Sequence, residues 1–538
     1  MPGPRKLASV EIVLLLFIVL ALPVTALAQA TTPAVAVPGH SNGEQATGRA
    51  METARANPLA LRAFLVAMPK GADLHNHLSG AVYAESWIRA AVEDSLCVDR
   101  ARLSFSKPQT QGAASSSCGE GKAPASAAYG DQHLYDALID AFSMRGFVPS
   151  SGVTGHDHFF KTFELFGASE PPQVGAFASH TGEWLDEVAT RAAAQNEQYL
   201  ELMQTPNFSH TAAIAAQIGW KYDFAQLRQD LLSHGLRDDI AVASRSLDQA
   251  EALRRERERC GNQDESPACR VKIRYLYQVL RGFPKEQVFA QTLLGFETAA
   301  VDPRFVGINF VMPEDGHTSM EDYTLHMRIV GFLHNLYPKV HISLHAGELA
   351  PGLVPPEGLQ FHIRQAVEYA HAERIGHGVD VMYEDRPYDL LKEMAALRVM
   401  VEVNLTSNDV ILGVAGKDHP FPIYRKFSVP VALSTDDEGV SRIDLTHEYV
   451  RAVETYGVHY AELKQMVRTG IEHSFLPGAS LWAGRDAFSR AASACSAAPL
   501  GIEKPSEACE SFLQSSEKAS QQWELERRFR AFETSRPQ

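Results

Sequence analysis

The sequence predicts an α/β fold, a parallel (β/α)8 TIM-type barrel carrying an N-terminal extension, two disulfide-tied insertions and a helical C-terminal tail. Three observations carry that expectation. Short apolar runs bounded by turn residues alternate with longer segments of helical periodicity, and eight such runs can be counted. The side chains best suited to chemistry stand at the C-terminal ends of those runs, where a barrel gathers its functional groups.

In chain order, residues 1–28 read as an export signal. Arg5 and Lys6 precede an apolar run from Ile12 to Leu22, and Ala26-Leu27-Ala28 offers a small-x-small cleavage site before Gln29. The run is short for a membrane span and no later stretch qualifies as one. The expectation is an exported protein, periplasmic or secreted, with an uncleaved anchor as the alternative. Residues 29–48, rich in Ala, Thr, Pro and Gly, form a flexible lead-in. Leu59, Leu61, Phe64 and Leu65 predict a helix over 51–67 that runs into the first strand.

The barrel is expected over residues 68–485. Its strands are Asp73 to His77, Gln198 to Met203, Ile240 to Ala243, Val306 to Val311, His341 to His345, Arg374 to Gly376, Val399 to Asn404 and Val431 to Ser434. Helical patterns between them include Thr181 to Asn196, Tyr323 to Leu336, Pro356 to Tyr369 and Tyr388 to Ala395. One insertion occupies about 97–130, and a second occupies about 254–272, where an Arg-Arg-Glu-Arg-Glu-Arg run reads as a solvated helix face. Residues 486–538 form an amphipathic helical tail packed on the barrel exterior. Cys97 with Cys118, Cys260 with Cys269 and Cys495 with Cys509 are sequence-local pairs in polar surroundings. Three local disulfides are the economical arrangement in an oxidising compartment, out of about fifteen pairings open to six cysteines.

The chemistry begins at Asp73-Leu74-His75-Asn76-His77. Side chains alternate along a strand, so His75 and His77 share a face, as two ligands of a zinc-like ion would. Alone the pair is a weak signal, and a satisfied structural pair is the more common reading of it. His345-Ala346-Gly347-Glu348, Ile375-Gly376-His377-Gly378 and Ser434-Thr435-Asp436-Asp437 each end a later strand, and in a barrel all would meet at one mouth. The competing readings are an ordinary strand-end histidine at His345 and a helix N-cap at Asp436-Asp437. His341, which begins its strand, reads as structural; His362, His371, His419 and His447 read as surface or packing residues.

Together these motifs, with Met68-Pro69-Lys70-Gly71 ahead of the first strand, resemble the adenosine deaminase family of zinc-dependent barrel hydrolases. Lesser matches are Phe159-Phe160-Lys161-Thr162-Phe163, Tyr199-Leu200-Glu201-Leu202 and Thr406-Ser407-Asn408. The signal, the cysteine pairs and Ile471 to Leu476 look more like the secreted, growth-factor-like branch. The resemblance implies one Zn²⁺ held by His75, His77, His345 and Asp436. It implies Glu348 as the acid that protonates a purine N1, His377 as the group that orients the attacking water, and Asp437 at the N7 edge. His77, Ser79, Met312 and Asp437 would be the substrate contacts, and the substrate a purine nucleoside, adenosine or 2′-deoxyadenosine. Three departures stand out. Ser79 replaces an aspartate that touches the ribose 5′ hydroxyl. Met312 replaces a glycine, so its side chain would intrude. Glu438-Gly439 replaces Pro-Gly, a change expected to alter only a loop.

Composition narrows the alternatives. The formal charge is −15; removing Arg5, Lys6 and Glu11 with the signal leaves 48 basic against 64 acidic residues, or −16. With no Lys/Arg-rich run to track phosphates, a nucleic-acid polymer is not an expected partner. A binuclear relative would bridge its metals through a lysine at the end of the fourth strand, and Arg304 to Pro313 contains none. The cytidine-deaminase arrangement needs H-x-E with P-C-x-x-C, which is absent from the sequence. An inactive barrel serving as a secreted binding protein is the rival from another class, and it is disfavoured because Glu348 and all four metal ligands are present. A related barrel hydrolase acting on adenine, AMP or an N6-substituted purine is the rival within the fold.

Overall fold

Eight parallel strands form the barrel in the computed structural model. They are β1 (Gly71–His77), β2 (Glu197–Gln204), β3 (Lys272–Leu280), β4 (Phe305–Val311), β5 (His341–Ala346), β6 (Arg374–His377), β7 (Met400–Val403) and β8 (Val431–Leu433). Each pairs with the next in sequence order. The ring closes where Asn76 bridges Asp436, just past β8. The Asp436 N–H donates to the His75 carbonyl at 2.8 Å, and the His77 N–H donates to the Asp436 carbonyl at 3.0 Å. Residues expected at the mouth thus form the seam of the barrel.

The structure describes residues 42–111, 115–169, 180–497 and 499–535. The expected export signal and most of the lead-in lie outside the described residues. The expected lead-in is shortened, because helix α1 (Asn42–Arg55) already begins at residue 42, and the helix expected over 51–67 is two helices. Helix α2 (Pro58–Ala67) starts afresh at Asn57, whose side chain accepts from the Leu59 and Ala60 N–H groups, with Pro58 in the first turn. Among the described residues, no helix is long and apolar enough to cross a membrane.

The third strand is the main correction. Ile240 to Ala243 lies inside a 20-residue helix, α5 (Asp238–Arg257); α3 (Gly155–Phe166) and α4 (Thr181–Ala194) precede it. Asp238 and Asp239 in its first turn and Arg254, Arg255 and Arg257 in its last suit the helix dipole. Ala243, Leu247, Ala250 and Arg254 are buried at helical spacing. The true strand, Lys272–Leu280, begins where the second insertion was expected to end. Its buried residues Ile273, Tyr275, Tyr277 and Val279 alternate with period two. Most of the charged run is the solvated face expected of it, with Arg255, Glu256, Arg257 and Arg259 exposed, but Arg254 is buried, pairs with Glu258 at 2.6 Å and donates to the Ala268 and Val271 carbonyls, clamping the loop closed by Cys260–Cys269. The segment expected to be one helix over Pro356 to Tyr369 is a 3-10 turn (Pro356–Leu359) and a short helix (His362–Glu368).

All three disulfides are the sequence-local ones. The first insertion holds a three-stranded and a two-stranded antiparallel sheet beside Cys97–Cys118. Helix α6 (Leu405–Leu412) follows β7, and the tail carries α7 (Glu507–Ser515) and α8 (Glu517–Thr534). The tail packs on the barrel as expected, against the starts of β2 and β3: Gln198 donates to the Gln521 carbonyl at 2.8 Å and Arg274 pairs with Glu517 at 2.8 Å. Between β2, β6 and β7 sits a buried charge network. Arg374 pairs with Glu201 at 2.7 Å and with Glu402 at 2.6 Å, and its guanidinium lies 3.8 Å from the centroid of the Phe475 ring. A charge this deep is tolerable only when paired, and the pairing fixes Glu402 where the site needs it.

Candidate active site

The expected ligands His75, His77, His345 and Asp436 come together at the barrel mouth. His345 Nε2 is 3.1 Å from both His75 Nε2 and His77 Nε2, while Asp436 Oδ1 is 3.4 Å and 3.2 Å from the same two nitrogens. Each imidazole has an oxygen acceptor behind it. Nδ1 lies 2.7 Å from Glu402 Oε2 in His75, 2.6 Å from Gln278 Oε1 in His77 and 2.6 Å from Asn309 Oδ1 in His345. The Gln278 amide is oriented by donating its own N–H to Thr205 at 3.0 Å. Nδ1 is therefore the protonated nitrogen in each ring, and three Nε2 lone pairs converge with no hydrogen between them. That arrangement is repulsive without a cation at its centre. Its edges match those of a tetrahedron with metal–ligand bonds of about 2.0–2.1 Å, roughly 3.3–3.4 Å.

The electrostatics make the same demand. Burial opposes charge on His75, yet hydrogen bonds to Asp436 and Glu402 push it up to about 10. Burial likewise opposes charge on His77, but Asp437 and Asp436 raise it. His345 is held far below the ordinary histidine range by burial and by its two neighbours. Three touching imidazoles cannot share positive charge as protons; one dication serves all of them. Close packing leaves the site little freedom: a methyl group at Gly376 would come within 2.5 Å of the His75 ring.

Glu348 stands beside this cluster, with its Oε1 3.7 Å from His377 Nε2. Burial, then the charges of Asp436 and Glu314, push its carboxyl well above the usual range. Its backbone is held by Glu314, which accepts from the Gly347 and Glu348 N–H groups at 3.0 and 2.8 Å and pairs with His362 at 2.5 Å. His362, expected at the surface or in packing, is a fully buried support of this loop. His377 has φ +68°, in the left-handed region that bulky residues avoid; Asp436 at +62° and Met312 at +90° share that strain at two other strand ends. Its Nε2 has no hydrogen-bond partner among the described residues.

Asp437 lines the same cavity with Oδ1 unpartnered among the described residues, and burial followed by the Asp436 charge raises its carboxyl well above the usual range. Gly80 makes room for it, since a methyl group there would overlap Asp437 Oδ1. Ser79 and Met312 are both on the cavity wall. The Met312 thioether is folded against Gly282, whose N–H lies 3.3 Å from the sulfur, so it forms wall there instead of projecting freely inward. Glu438 does more than alter a loop: it is buried and pairs with Arg191 of α4 at 2.7 Å, and Arg191 also donates to the Ala81 carbonyl at 2.9 Å.

The cavity above the cluster has a volume of about 470 Å³. Its floor includes His77, His345, Glu348, Asp436 and Asp437, and helix α3 supplies Phe159, Phe160, Phe163 and Glu164 from above. Among the described residues, no lysine or arginine lines it. Helix α3 is docked over the mouth by Gly155, which touches the backbone of Val410 in α6, and by His156, whose Nε2 is 2.9 Å from Asp315 Oδ1.

The family model described as adenosine deaminase matches residues 184–481, more than half of the chain. The chain belongs to the adenosine deaminase family. Its similarity to individual adenosine deaminases is local. It is 39% identical over 137 residues to that of Salmonella heidelberg, 36% over 136 residues to that of Shewanella loihica and 34% over 135 residues to that of Clostridium perfringens. Each match covers 25% of this chain, and the chain spans only 37–38% of the length of these relatives. Among solved structures it is similar to an adenine deaminase from Arthrobacter aurescens (16% identity, 76% of this chain and 94% of that one, TM-score 0.49). It is also similar to the N6-methyl-AMP deaminase from Arabidopsis thaliana (20% identity, 77% and 94%, TM-score 0.48).

Within this adenosine deaminase family member, sequence reasoning missed the residues behind the ligands. Glu402 had a local signal, a lone carboxylate inside the apolar run Met400–Val403. Gln278 and Asn309 had none, since a single amide on a strand reveals its role only through its neighbours. Ser407, which donates to Asp436 Oδ2 at 2.6 Å, and Asn408 lie in the Thr406-Ser407-Asn408 match without a role having been read from it. Asn404, just past the end of β7, is buried beside His377.

Proposed function

We propose that this protein is an exported, zinc-dependent aminohydrolase of unphosphorylated 6-aminopurine nucleosides, converting adenosine or 2′-deoxyadenosine to the 6-oxo nucleoside and ammonia. The observation that carries the proposal is one constellation: the raised carboxyl of Glu348 shares the cavity lining with His77, His345 and Asp436 of the four converging ligand residues, and the unpartnered Nε2 of His377 lies 3.7 Å from its Oε1. One Zn²⁺ per chain, bound by His75, His77, His345 and Asp436, supplies the Lewis acidity that brings a water within reach of deprotonation near neutral pH.

The side chains do the rest. Glu348 gives its proton to purine N1 as the water oxygen bonds to C6, a general-acid role that requires a carboxyl protonated near neutrality. His377 directs Nε2 at the incoming oxygen and stabilises the charge that develops there. Asp437 takes the N7 edge of the base. The C6–N bond then breaks. Of the two protons brought by water, one returns to Glu348 and the other leaves on the amino group as ammonia.

The lining supports a nucleoside over its rivals. A phosphate carries about −1.5 to −2 charge at pH 7, and the wall offers Glu164, Glu348, Asp436 and Asp437 with no lysine or arginine among the described residues to meet it. Free adenine would leave the outer wall of Phe160, Phe163 and Trp184 without a partner. Export, to a periplasm or outside the cell, is supported by the signal-like N-terminus and by three disulfides. The test is an ultraviolet assay that follows conversion of adenosine to inosine by zinc-loaded protein, with 2′-deoxyadenosine, adenine and AMP in parallel. Turnover of the two nucleosides with AMP at least about a hundredfold slower is expected, from the missing cationic partners. Absence of turnover with all four sinks the deaminase reading.

A further inference from the structure

Which nitrogen of His377 carries the proton decides what it can do, and the surroundings settle the matter from a fixed starting point. His377 Nδ1 lies 2.9 Å from Nδ2 of Asn408 and 3.5 Å from Nδ2 of Asn404. The other end of the Asn408 amide, Oδ1, is 3.0 Å from His419 Nε2, and His419 Nδ1 is 3.1 Å from the backbone N–H of Phe421. Asn408, His419 and His377 are all buried, at 0%, 2% and 1% exposure, so water does not compete for these contacts.

A backbone N–H donates and never accepts. His419 Nδ1 must accept from Phe421, so His419 is neutral and carries its proton on Nε2. That proton goes to Asn408 Oδ1, which fixes the orientation of the amide. The Asn408 NH₂ group then donates to His377 Nδ1. His377 is left with its proton on Nε2, and that N–H enters the space between Glu348 Oε1 at 3.7 Å and Asp436 Oδ2 at 3.9 Å. Running the chain in the opposite sense would set two donors face to face at Phe421. Burial, reinforced by the charge of Arg451, agrees: it lowers His419 to about 4, so the ring stays neutral over the physiological range.

We propose that Asn408 and His419 are positioning residues of the active site, transmitting the polarity of the Phe421 amide through three hydrogen bonds to hold His377 as the Nε2–H tautomer. The tautomer follows from the contacts alone; its use as a donor to the attacking oxygen rests on the function proposed above. The arrangement also explains two features of the sequence. Asn408 belongs to α6, immediately after the end of β7, and His419 ends the following loop, where Pro420 starts a short helix (Phe421–Lys426) and turns the Phe421 N–H back toward the ring. His419 is thereby a support of the site and not a surface or packing histidine.

Asn408→Asp is the decisive variant, since it keeps the shape but replaces the donor with a second acceptor. His377 must then move its proton to Nδ1 and present a lone pair at Nε2. His419→Leu removes the middle of the relay, and His419→Gln restores both an acceptor and a donor. Nitrogen-15 spectra of histidine-labelled, zinc-loaded protein are expected to show His377 protonated at Nε2 in the wild type and at Nδ1 in Asn408→Asp. A wrong histidine tautomer costs up to about 10⁴ in kcat in a serine-protease triad, so a loss of about 10²–10⁴ in kcat, with KM changed less than about threefold, is expected for Asn408→Asp. His419→Gln is expected to keep activity within about tenfold of wild type where His419→Leu does not, the size of one neutral hydrogen bond. Metal content and melting temperature of each variant separate these effects from unfolding. Wild-type His377 protonated at Nδ1, or folded and loaded Asn408→Asp within threefold of wild-type kcat, overturns the proposal. A wild type with Nε2 protonated but inactive on every purine leaves the relay standing and removes the deaminase reading instead.

Discussion

His75 Nδ1 lies 2.7 Å from Glu402 Oε2, and neither side chain is exposed to solvent. The carboxylate therefore orients one of the four clustered candidate ligands with one oxygen while its other oxygen pairs with Arg374 at 2.6 Å. Burial alone would protonate Glu402; the Arg374 charge and the His75 contact outweigh it and lower the carboxyl below the usual range. Glu402→Gln is expected to weaken zinc binding by about 10–100-fold, the usual cost of losing an outer partner of a ligating histidine. Arg374 loses half of its charge compensation in the same variant, so unfolding free energy should fall by about 3 kcal/mol. Chelator competition and denaturant titration read the two effects separately. Unchanged zinc affinity would detach Glu402 from the metal centre.

Glu348→Gln tests the acid. The amide keeps the volume and cannot deliver a proton to N1, so kcat should drop by at least about a hundredfold while zinc stoichiometry and the melting temperature hold. Activity within about threefold of wild type, well short of the effect of a general acid, would give the proton delivery to another group.

The convergence of His75, His77, His345 and Asp436 was legible in the sequence because each sits in a short motif at the end of an apolar run, and a barrel brings such ends together. The closure of the barrel at Asp436, between His75 and His77, was not legible, since no local pattern tells which backbone groups pair. Two kinds of feature escaped for different reasons. Ile240 to Ala243 carries strand-like composition but is overruled by its acidic start, basic end and helical burial spacing. Lys272 and Arg274 make the true third strand look like loop, because the partner that accepts them, Glu517, lies more than two hundred residues away in the tail. His362 and His419 were lost in the same way: each supports the site through one intermediary, Glu314 or Asn408, that only the tertiary structure identifies.

Glu314 gives a pH-dependent prediction. Burial would raise its carboxyl, but the charge of His362 and the hydrogen bonds it accepts hold it down, at about 2. A carboxylate depressed in the folded state stabilises the protein fully above its unfolded value of 4.5, and that contribution is lost as pH falls from about 4.5 to about 2. The shift corresponds to on the order of 3 kcal/mol. The difference in unfolding free energy between wild type and Glu314→Gln should be constant from pH 7 to about 5 and shrink below about 4.5. A difference that stays flat down to pH 3 would show that the ionised form is not what holds the Gly347-Glu348 loop.

Gly80 offers the sharpest steric test of the substrate side. It lies in the short helix Leu78–Ala81 directly after the second histidine, and it is buried against Asp437. An added methyl group overlaps Oδ1 and comes within 2.7 Å of the Asp437 Cβ, so the whole side chain must turn away and not merely its tip. Asp437 has little backbone freedom with which to answer, because Asp436 before it is fixed by the barrel seam at φ +62° and Glu438 after it is tied to Arg191. Gly80→Ala should therefore displace the carboxyl assigned to the N7 edge while leaving the four ligand atoms in place. Losing a hydrogen bond from a charged or strongly polar partner costs about 1.5–3 kcal/mol, or about 10–150-fold in kcat/KM for adenosine. Overpacking of this kind also lowers stability by about 1–3 kcal/mol. The discriminating comparison is 7-deazaadenosine, which has no N7 acceptor: wild type should lose on it what Gly80→Ala has already lost, and the variant should handle both nucleosides alike. If the variant still prefers adenosine by the wild-type margin, the N7 edge is read by a group other than Asp437.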